Sequence, residues 1–313
     1  ANAASSGLGR MMPECTDGDT IFEYGIDLGT TNWKKWEPPR WEYPVPEDGG
    51  DHLDFSNLLV PTLDSTRAQF ILDRYHTEKR PVLLVGDSGT AKTSTVQMFF
   101  GTFPADERLT KTVTFSSVTK MIGVQEAIEL SLDKRGGKTF GPPNGLKMTV
   151  FLDDLSMPEI NEWGDQPTLE IVRQILEFNG FAFLEKDKRG SIKMVEDVQY
   201  LAAMATPGGG KNDIPDRLKR QFGIITLTLP SITAIDDIYG QMLSGRFDKT
   251  QFDGPTLAVV EGLTRATIEL WRKVKAKLLP TPAKFHYVFN LRDLSRIFQG
   301  VLLTPKKTIT TGG

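Results

Sequence analysis

The residues best suited to chemistry are Gly86, Asp87, Ser88, Gly89, Thr90, Ala91, Lys92 and Thr93. They follow the pattern G-x-x-x-x-G-K-[ST], save that Ala91 stands where the second glycine is usual. Small residues let backbone N–H groups turn inward around phosphate oxygens. A helix starting at the same place would aim its positive end at them. Lys92 is long enough to reach β- and γ-phosphates, and the Thr93 hydroxyl can ligate Mg²⁺. The methyl of Ala91 is tolerable if the position has helical dihedrals and costly if it needs a positive φ.

Roughly 60 residues later the apolar run Thr149-Val150-Phe151-Leu152 ends in Asp153 and Asp154. Two carboxylates at the end of a buried strand can serve the same site. Asp153 would hold Mg²⁺, mainly through water, since Mg²⁺ gives up its waters reluctantly. Asp154 would orient or deprotonate an attacking water. Glutamate is usual at that second position, and aspartate is shorter by one C–C bond, about 1.5 Å. A misplacement of about 1 Å can cost on the order of 10²-fold in rate. The expectation is therefore good nucleotide and metal binding with slow hydrolysis. Adjacent aspartates after a strand also cap helices or turns, which is the competing use.

These groups need a sheet to hold them. Val82–Val85 reads as a buried parallel strand leading into the phosphate loop, and Thr112–Phe115, Met148–Leu152, Val198–Met204 and Ile224–Leu229 read as further strands. Helical spacing recurs from Asp64, with Asp64 or Ser65 as cap, and over Val96–Phe100, Met121–Leu132 and Leu169–Phe178. Alternating strands and helices imply a three-layer α/β domain with a mainly parallel sheet. Two apolar runs, from Phe181 and from Ser191, flank a charged stretch and predict an inserted hairpin. After Pro230 the pattern is helical only: Ile232–Met242, Thr256–Leu278 and Leu291–Phe298. Trp33, Trp36 and Trp41 stand among prolines and predict an extended strap packed across a neighbouring surface. Residues 1–17, rich in Ala, Ser and Gly, read as flexible. The division expected is 1–54 lead and strap, 55–230 α/β, and 231–313 helical and cut short, as in a fragment of a longer chain.

Composition excludes several classes. Of 313 residues, 39% are apolar and 25% charged, which is ordinary for a globular protein. A net charge of −3 gives no electrostatic case for nucleic acid or an anionic membrane. One cysteine excludes an internal disulfide and a Cys-rich zinc site, and the three histidines lie far apart. No 18-residue apolar run or signal-peptide pattern occurs, so an intracellular setting is the simplest expectation.

Together with these motifs, later stretches give the chain a specific resemblance. They are Phe151–Pro158, Ile160–Gln166, Ala202–Phe222 and Phe289–Gly300. In this order they resemble an AAA+ ATPase, and more narrowly the third AAA+ module of an axonemal dynein heavy chain. The resemblance covers roughly residues 55–303. It implies a large α/β subdomain with a five-stranded sheet, a small helical lid, and bound ATP or ADP with Mg²⁺. It also implies a ring of modules within one chain, in which the third regulates the first. Microtubules would be engaged only by the full motor, in the cytoplasmic cytoskeleton of a cilium or flagellum.

The resemblance assigns further residues. Val60, Pro61 and Thr62 match the stretch that contacts adenine. Thr206 falls where the family commonly has an asparagine facing the γ-phosphate, a second reason to expect slow hydrolysis; it could equally just end a strand before Pro207. Arg220 matches an arginine finger acting in trans on the preceding module, with Arg217 as the alternative. Arg292 matches the lid arginine that senses the γ-phosphate. The Asn161–Gln166 loop and the hairpin, with Phe181 and Phe183 exposed, would touch the linker or a neighbour, or the phenylalanines would simply pack the hairpin. Two other functions remain open: a structural ring segment with a permanently held nucleotide, and another AAA+ remodelling machine.

Overall fold

A computed structural model describes residue 13 and residues 20–27, 29–30, 32–44, 55, 58–184, 186–188, 190–208, 211–249 and 252–304. The flexible lead expected over 1–17 lies almost wholly outside the described residues, as does most of the 1–54 division. In chain order the elements are β1 (Tyr24–Ile26), β2 (Trp33–Lys35), α1 (Leu63–Thr77), β3 (Val82–Val85), α2 (Lys92–Phe100), β4 (Arg108–Thr114) and α3 (Met121–Glu129). Then come β5 (Asp133–Gly136), β6 (Thr139–Gly141), β7 (Lys147–Asp153), α4 (Pro167–Phe178), β8 (Gly180–Ala182), β9 (Ile192–Val195), β10 (Val198–Met204), α5 (Asp216–Lys219) and β11 (Gly223–Thr226). Helices α6 (Ile232–Arg246), α7 (Gly254–Lys277) and α8 (Leu291–Leu302) are the last elements among the described residues.

The central sheet has the order β11-β3-β10-β7-β4, and all four pairings are parallel. Its inner strands β3, β7 and β10 are largely apolar because helices cover both of their faces, while the edge strands β4 and β11 keep exposed residues. Leu83, Val150, Leu152, Ala202 and Met204 pack with Val124 and Ile128 of α3 and Leu169, Val172 and Ile175 of α4. On the opposite face Val82, Leu84, Phe151, Leu201 and Ala203 meet Leu72 of α1 and Val96 and Phe99 of α2. The period-two alternation within Val82–Val85 thus divides one strand between two cores, giving the expected three layers. Helices α6, α7 and α8 share a third cluster, in which Tyr239 stacks on Phe298 with ring centroids 4.2 Å apart.

Several local expectations are corrected. The cap of α1 is Thr62, not Asp64 or Ser65: its hydroxyl accepts from Ser65 N at 3.2 Å, and the Ser65 hydroxyl accepts from Thr62 N at 2.8 Å. The last strand stops at Thr226 rather than Leu229, and α3 stops at Glu129. Helix α2 begins at Lys92, not Val96, directly after the phosphate loop. The strap begins as a short antiparallel hairpin, β1 with β2, and has no regular secondary structure over residues 36–44. Its Trp36 meets Phe70 of α1 edge-on at 5.2 Å, and Trp41 packs against the α6–α8 cluster.

The inserted hairpin is β8 paired with β9, but it belongs to a second sheet of order β5-β6-β9-β8. Phe181 and Phe183 are buried, not exposed. They and Phe140 surround the Lys193 ammonium, 4.8–5.9 Å from their ring centroids, and that ammonium pairs with Glu129 at 2.9 Å. Gln125 fastens the hairpin to α3 by donating to the Ala182 carbonyl at 2.8 Å.

Candidate functional site

The loops after β3, β7 and β10 meet because those strands are neighbours in the sheet. In parallel α/β sheets ligands bind at the carboxyl ends of the strands. A cleft of about 750 Å³ opens there, floored by Ser88–Thr95 and by Asp153 and Asp154. Its opposite wall is apolar, with Ile238 and Met242 of α6 and Leu291 at the start of α8.

The phosphate loop has the backbone its sequence requires. A Cβ on Gly86 would lie 2.5 Å from the Leu227 carbonyl oxygen, and Gly89 sits at φ +90°. Ala91 also has a left-handed backbone, φ 59° and ψ 26°, so its methyl is in the costly case. Its carbonyl accepts from Thr95 N at 2.8 Å and opens α2. Among the described residues the amides of Ser88, Gly89 and Ala91 have no protein acceptor. Together with the N-terminal amides of α2, they form a cradle of unpaired donors beside a positive helix end.

Lys92 lies within this cradle. Its Nζ donates to the carbonyls of Gly86 at 2.7 Å and Asp87 at 2.9 Å, and to Thr90 Oγ1 at 3.4 Å. Burial, and next the positive charge of Lys211, push this ammonium below the ordinary lysine range; Asp154, Asp153 and Asp87 oppose the shift. Thr93 Oγ1 donates to Asp153 Oδ2 at 2.9 Å, joining the start of α2 to the end of β7. The other Asp153 oxygen accepts from Asp154 N at 3.0 Å. Burial raises the Asp153 carboxyl above the usual range; the Thr93 bond lowers it, and the charge of Asp154 raises it further.

These groups fit a nucleotide with Mg²⁺. The donor cradle suits phosphate oxygens, and the Thr93 hydroxyl with Asp153 supplies two hard oxygen donors. Among the described residues no group of three or more His, Cys, Asp or Glu could hold a metal ion. Mg²⁺ keeps waters and takes phosphate oxygens rather than an all-protein cage. When bound, the ion neutralises charge between phosphates. Thr93 and Asp153 would hold the ion, and the loop amides with Lys92 would orient the phosphates.

The other sequence-derived residues are placed as follows. Val60 is buried in the α6–α8 cluster, and both it and Thr62 line the cleft; Pro61 lies between them. Asp154 lines the cleft at φ 55°, a conformation aspartate adopts more readily than most residues. Thr206 is at the end of β10, but its hydroxyl donates to the Asp87 carboxylate and is not in the cleft wall, where its neighbour Ala205 stands. Arg292 lines the cleft from the first turn of α8, its backbone N bonded to Asn290 Oδ1 at 2.8 Å. Arg220 lies away from the cleft beside Glu177 at 3.7 Å, as does Arg217, 3.2 Å from Glu170. Lys211, which also lines the cleft, had no role assigned from sequence. Its signal was a lone lysine after Gly208-Gly209-Gly210, just beyond the strand next to the phosphate-loop strand.

Comparison with known proteins agrees with this geometry. Residues 49–230 match the family model described as the P-loop containing dynein motor region, and residues 263–312 match an AAA+ lid domain. The chain is 48% identical over 299 residues to the dynein gamma chain of the flagellar outer arm of Chlamydomonas reinhardtii, covering 95% of this chain and 7% of that protein. It is 47% identical to dynein axonemal heavy chain 5 of Rattus norvegicus, covering 95% of this chain and 8% of that one. The dynein-1-alpha heavy chain of the Chlamydomonas inner arm I1 complex is 37% identical, with 91% and 6% covered. The chain thus spans less than a tenth of the length of these relatives. Matched over most of its length by the dynein motor and lid models, and by axonemal heavy chains at up to 48% identity, the chain belongs to the AAA+ modules of the axonemal dynein heavy chains.

Proposed function

We propose that this chain is a regulatory nucleotide-binding module, the third of its ring, that holds ATP or ADP with Mg²⁺ and hydrolyses slowly. The observation that carries the reading is the Thr93–Asp153 hydrogen bond beside Lys92, which gathers metal ligands and phosphate donors in one cleft. In this reading residues 55–230 form the large subdomain and 231–313 the lid, and Val60, Pro61 and Thr62 face the adenine. Gly86 to Thr93 hold the phosphates, Thr93 and Asp153 the ion. Asp154 and Thr206 stand at the hydrolytic positions, and Arg292 reports the γ-phosphate to the lid. Arg220 serves the preceding module, so turnover here needs an arginine from the following one. The neighbouring modules of the same heavy chain are its direct partners. Microtubules are engaged by the whole motor in the axoneme. Among the described residues no helix is long and apolar enough to cross a membrane.

Isothermal titration tests the reading. The chain should bind ADP and ATP with Mg²⁺ in the low micromolar range or tighter, and Lys92→Ala should abolish the heat. No heat with either nucleotide would refute it. A second reading, a structural segment with a permanently held nucleotide, is favoured by the Thr206–Asp87 bond, which engages the hydroxyl expected to face the γ-phosphate. Single-turnover hydrolysis in the intact ring separates the two, because a rate unchanged by Asp154→Asn would favour the structural role.

A further inference from the structure

We propose that Lys211 is a second cation for the terminal phosphate, set on the large α/β body rather than on the lid. The proposal rests on the nucleotide reading of the cleft. Lys211 lines the same cleft as Lys92, Asp153 and Asp154. Its side chain is exposed, and among the described residues it has no carboxylate partner. Its charge is nonetheless felt at Lys92. An exposed surface lysine would ordinarily have little effect on a half-buried ammonium, because water screens the pair.

The backbone explains why Lys211 is held there. Gly208 and Lys211 exchange two hydrogen bonds, Lys211 N to Gly208 O at 3.1 Å and Gly208 N to Lys211 O at 3.3 Å. Gly208 has φ +121°, which a residue with a side chain rarely adopts. On one side of this turn Thr206 bonds to Asp87 of the phosphate loop. On the other, Asn212 Nδ2 donates to the Pro158 carbonyl at 3.2 Å. The segment carrying Lys211 is therefore tied both to the phosphate loop and to the chain leaving Asp153 and Asp154.

The chemistry follows from the placement. Lys92 is held against the loop carbonyls, where it can serve the β-phosphate common to ADP and ATP as well as the γ-phosphate. Lys211 lines the cleft from beyond the end of β10, the strand between those that carry the phosphate loop and the acidic pair, and an extra phosphate would bring negative charge into that cleft. Arg292 reaches the cleft from α8 and depends on the lid angle. Lys211 shares a body with the phosphate loop, so its attraction does not require lid closure. The pair would let the module distinguish triphosphate from diphosphate before the lid responds.

The test compares wild type, Lys211→Gln and Lys211→Arg by titration with ADP and with the β,γ-imido analogue of ATP, each with Mg²⁺. Lys211→Gln should weaken the triphosphate analogue about tenfold and ADP less than about twofold, because it removes a charge-assisted hydrogen bond to the terminal phosphate alone. Lys211→Arg should restore most of the difference. Retained ADP binding shows in the same experiment that Lys211→Gln folds. An unchanged ratio of the two affinities, or an equal loss of both, overturns the proposal while leaving the nucleotide reading in place. A wild-type chain that binds neither nucleotide removes both.

Discussion

His76 offers a prediction whose size can be worked out from the structure. It ends α1 with its ring stacked on Phe103 at 5.0 Å and edge-on to Phe99 at 5.4 Å. Arg108 NH1 lies 3.0 Å from Nε2, and since guanidinium can only donate, Nε2 must accept and the ring must be neutral. The same guanidinium reaches Thr149 Oγ1 at 3.3 Å and Gln199 Oε1 at 3.0 Å, while Gln199 Nε2 donates to the His76 carbonyl at 2.9 Å. Burial, then the charges of Arg108 and Lys147 against that of Asp73, bring the imidazole from 6.5 to about 4. The sign follows from linkage. The unfolded chain takes up a proton as pH falls below about 6.5, and the folded chain resists until about 4. The stabilisation is complete above 6.5 and is lost as pH falls towards 4. Between pH 8 and pH 5 the loss is about 2 kcal/mol, approaching about 3 kcal/mol below pH 4. Urea unfolding at several pH values, for wild type and His76→Gln, measures it. The variant is less stable throughout, but its stability should fall less between pH 8 and pH 5, by that same 2 kcal/mol. Other carboxylates titrate alike in both proteins and cancel. Parallel pH profiles would refute the reasoning. Thr149 and Gln199 lie near the starts of β7 and β10, about 13 Å of strand from Asp153. Nucleotide affinity at pH 7.5 should therefore survive the substitution.

Ala91→Gly should stabilise the chain by about 0.5–1 kcal/mol, because relief of the left-handed backbone exceeds the added entropy of the unfolded glycine; a lower urea midpoint would contradict this. Thr93→Val removes the hydroxyl proposed to hold Mg²⁺ and its bond to Asp153. It should reduce the gain in triphosphate-analogue affinity on adding Mg²⁺ by on the order of tenfold. Titration without Mg²⁺ should change much less.

What the sequence could and could not show divides along physical lines. Val82–Val85 and the Leu201–Met204 part of Val198–Met204 were legible because strand segments covered on both faces are apolar throughout. Asp133–Gly136 and Thr139–Gly141 carry no such signal. They pair with each other in a short antiparallel hairpin, and β9 arrives from more than fifty residues downstream to extend that hairpin into a sheet. Lys193 would be placed on the surface by type alone, yet three aromatic rings and Glu129 make burial tolerable. At the site the motif residues were readable, but the backbone angles were not. Alanine at φ 59° looks the same in sequence as alanine in a helix. Spatial order also decides which loops meet. In chain order the loop after β4 lies between those after β3 and β7, but in the sheet β10 is the strand between β3 and β7. That exchange brings Thr206 to Asp87 and Lys211 to the cleft, while β4 goes to the edge. The chemistry of this module therefore depends on a strand that contributes little of the recognisable motif. Changes at its exit, at Thr206 and Lys211, should therefore alter the preference between triphosphate and diphosphate, whereas loss of Lys92 in the phosphate loop should abolish binding of both.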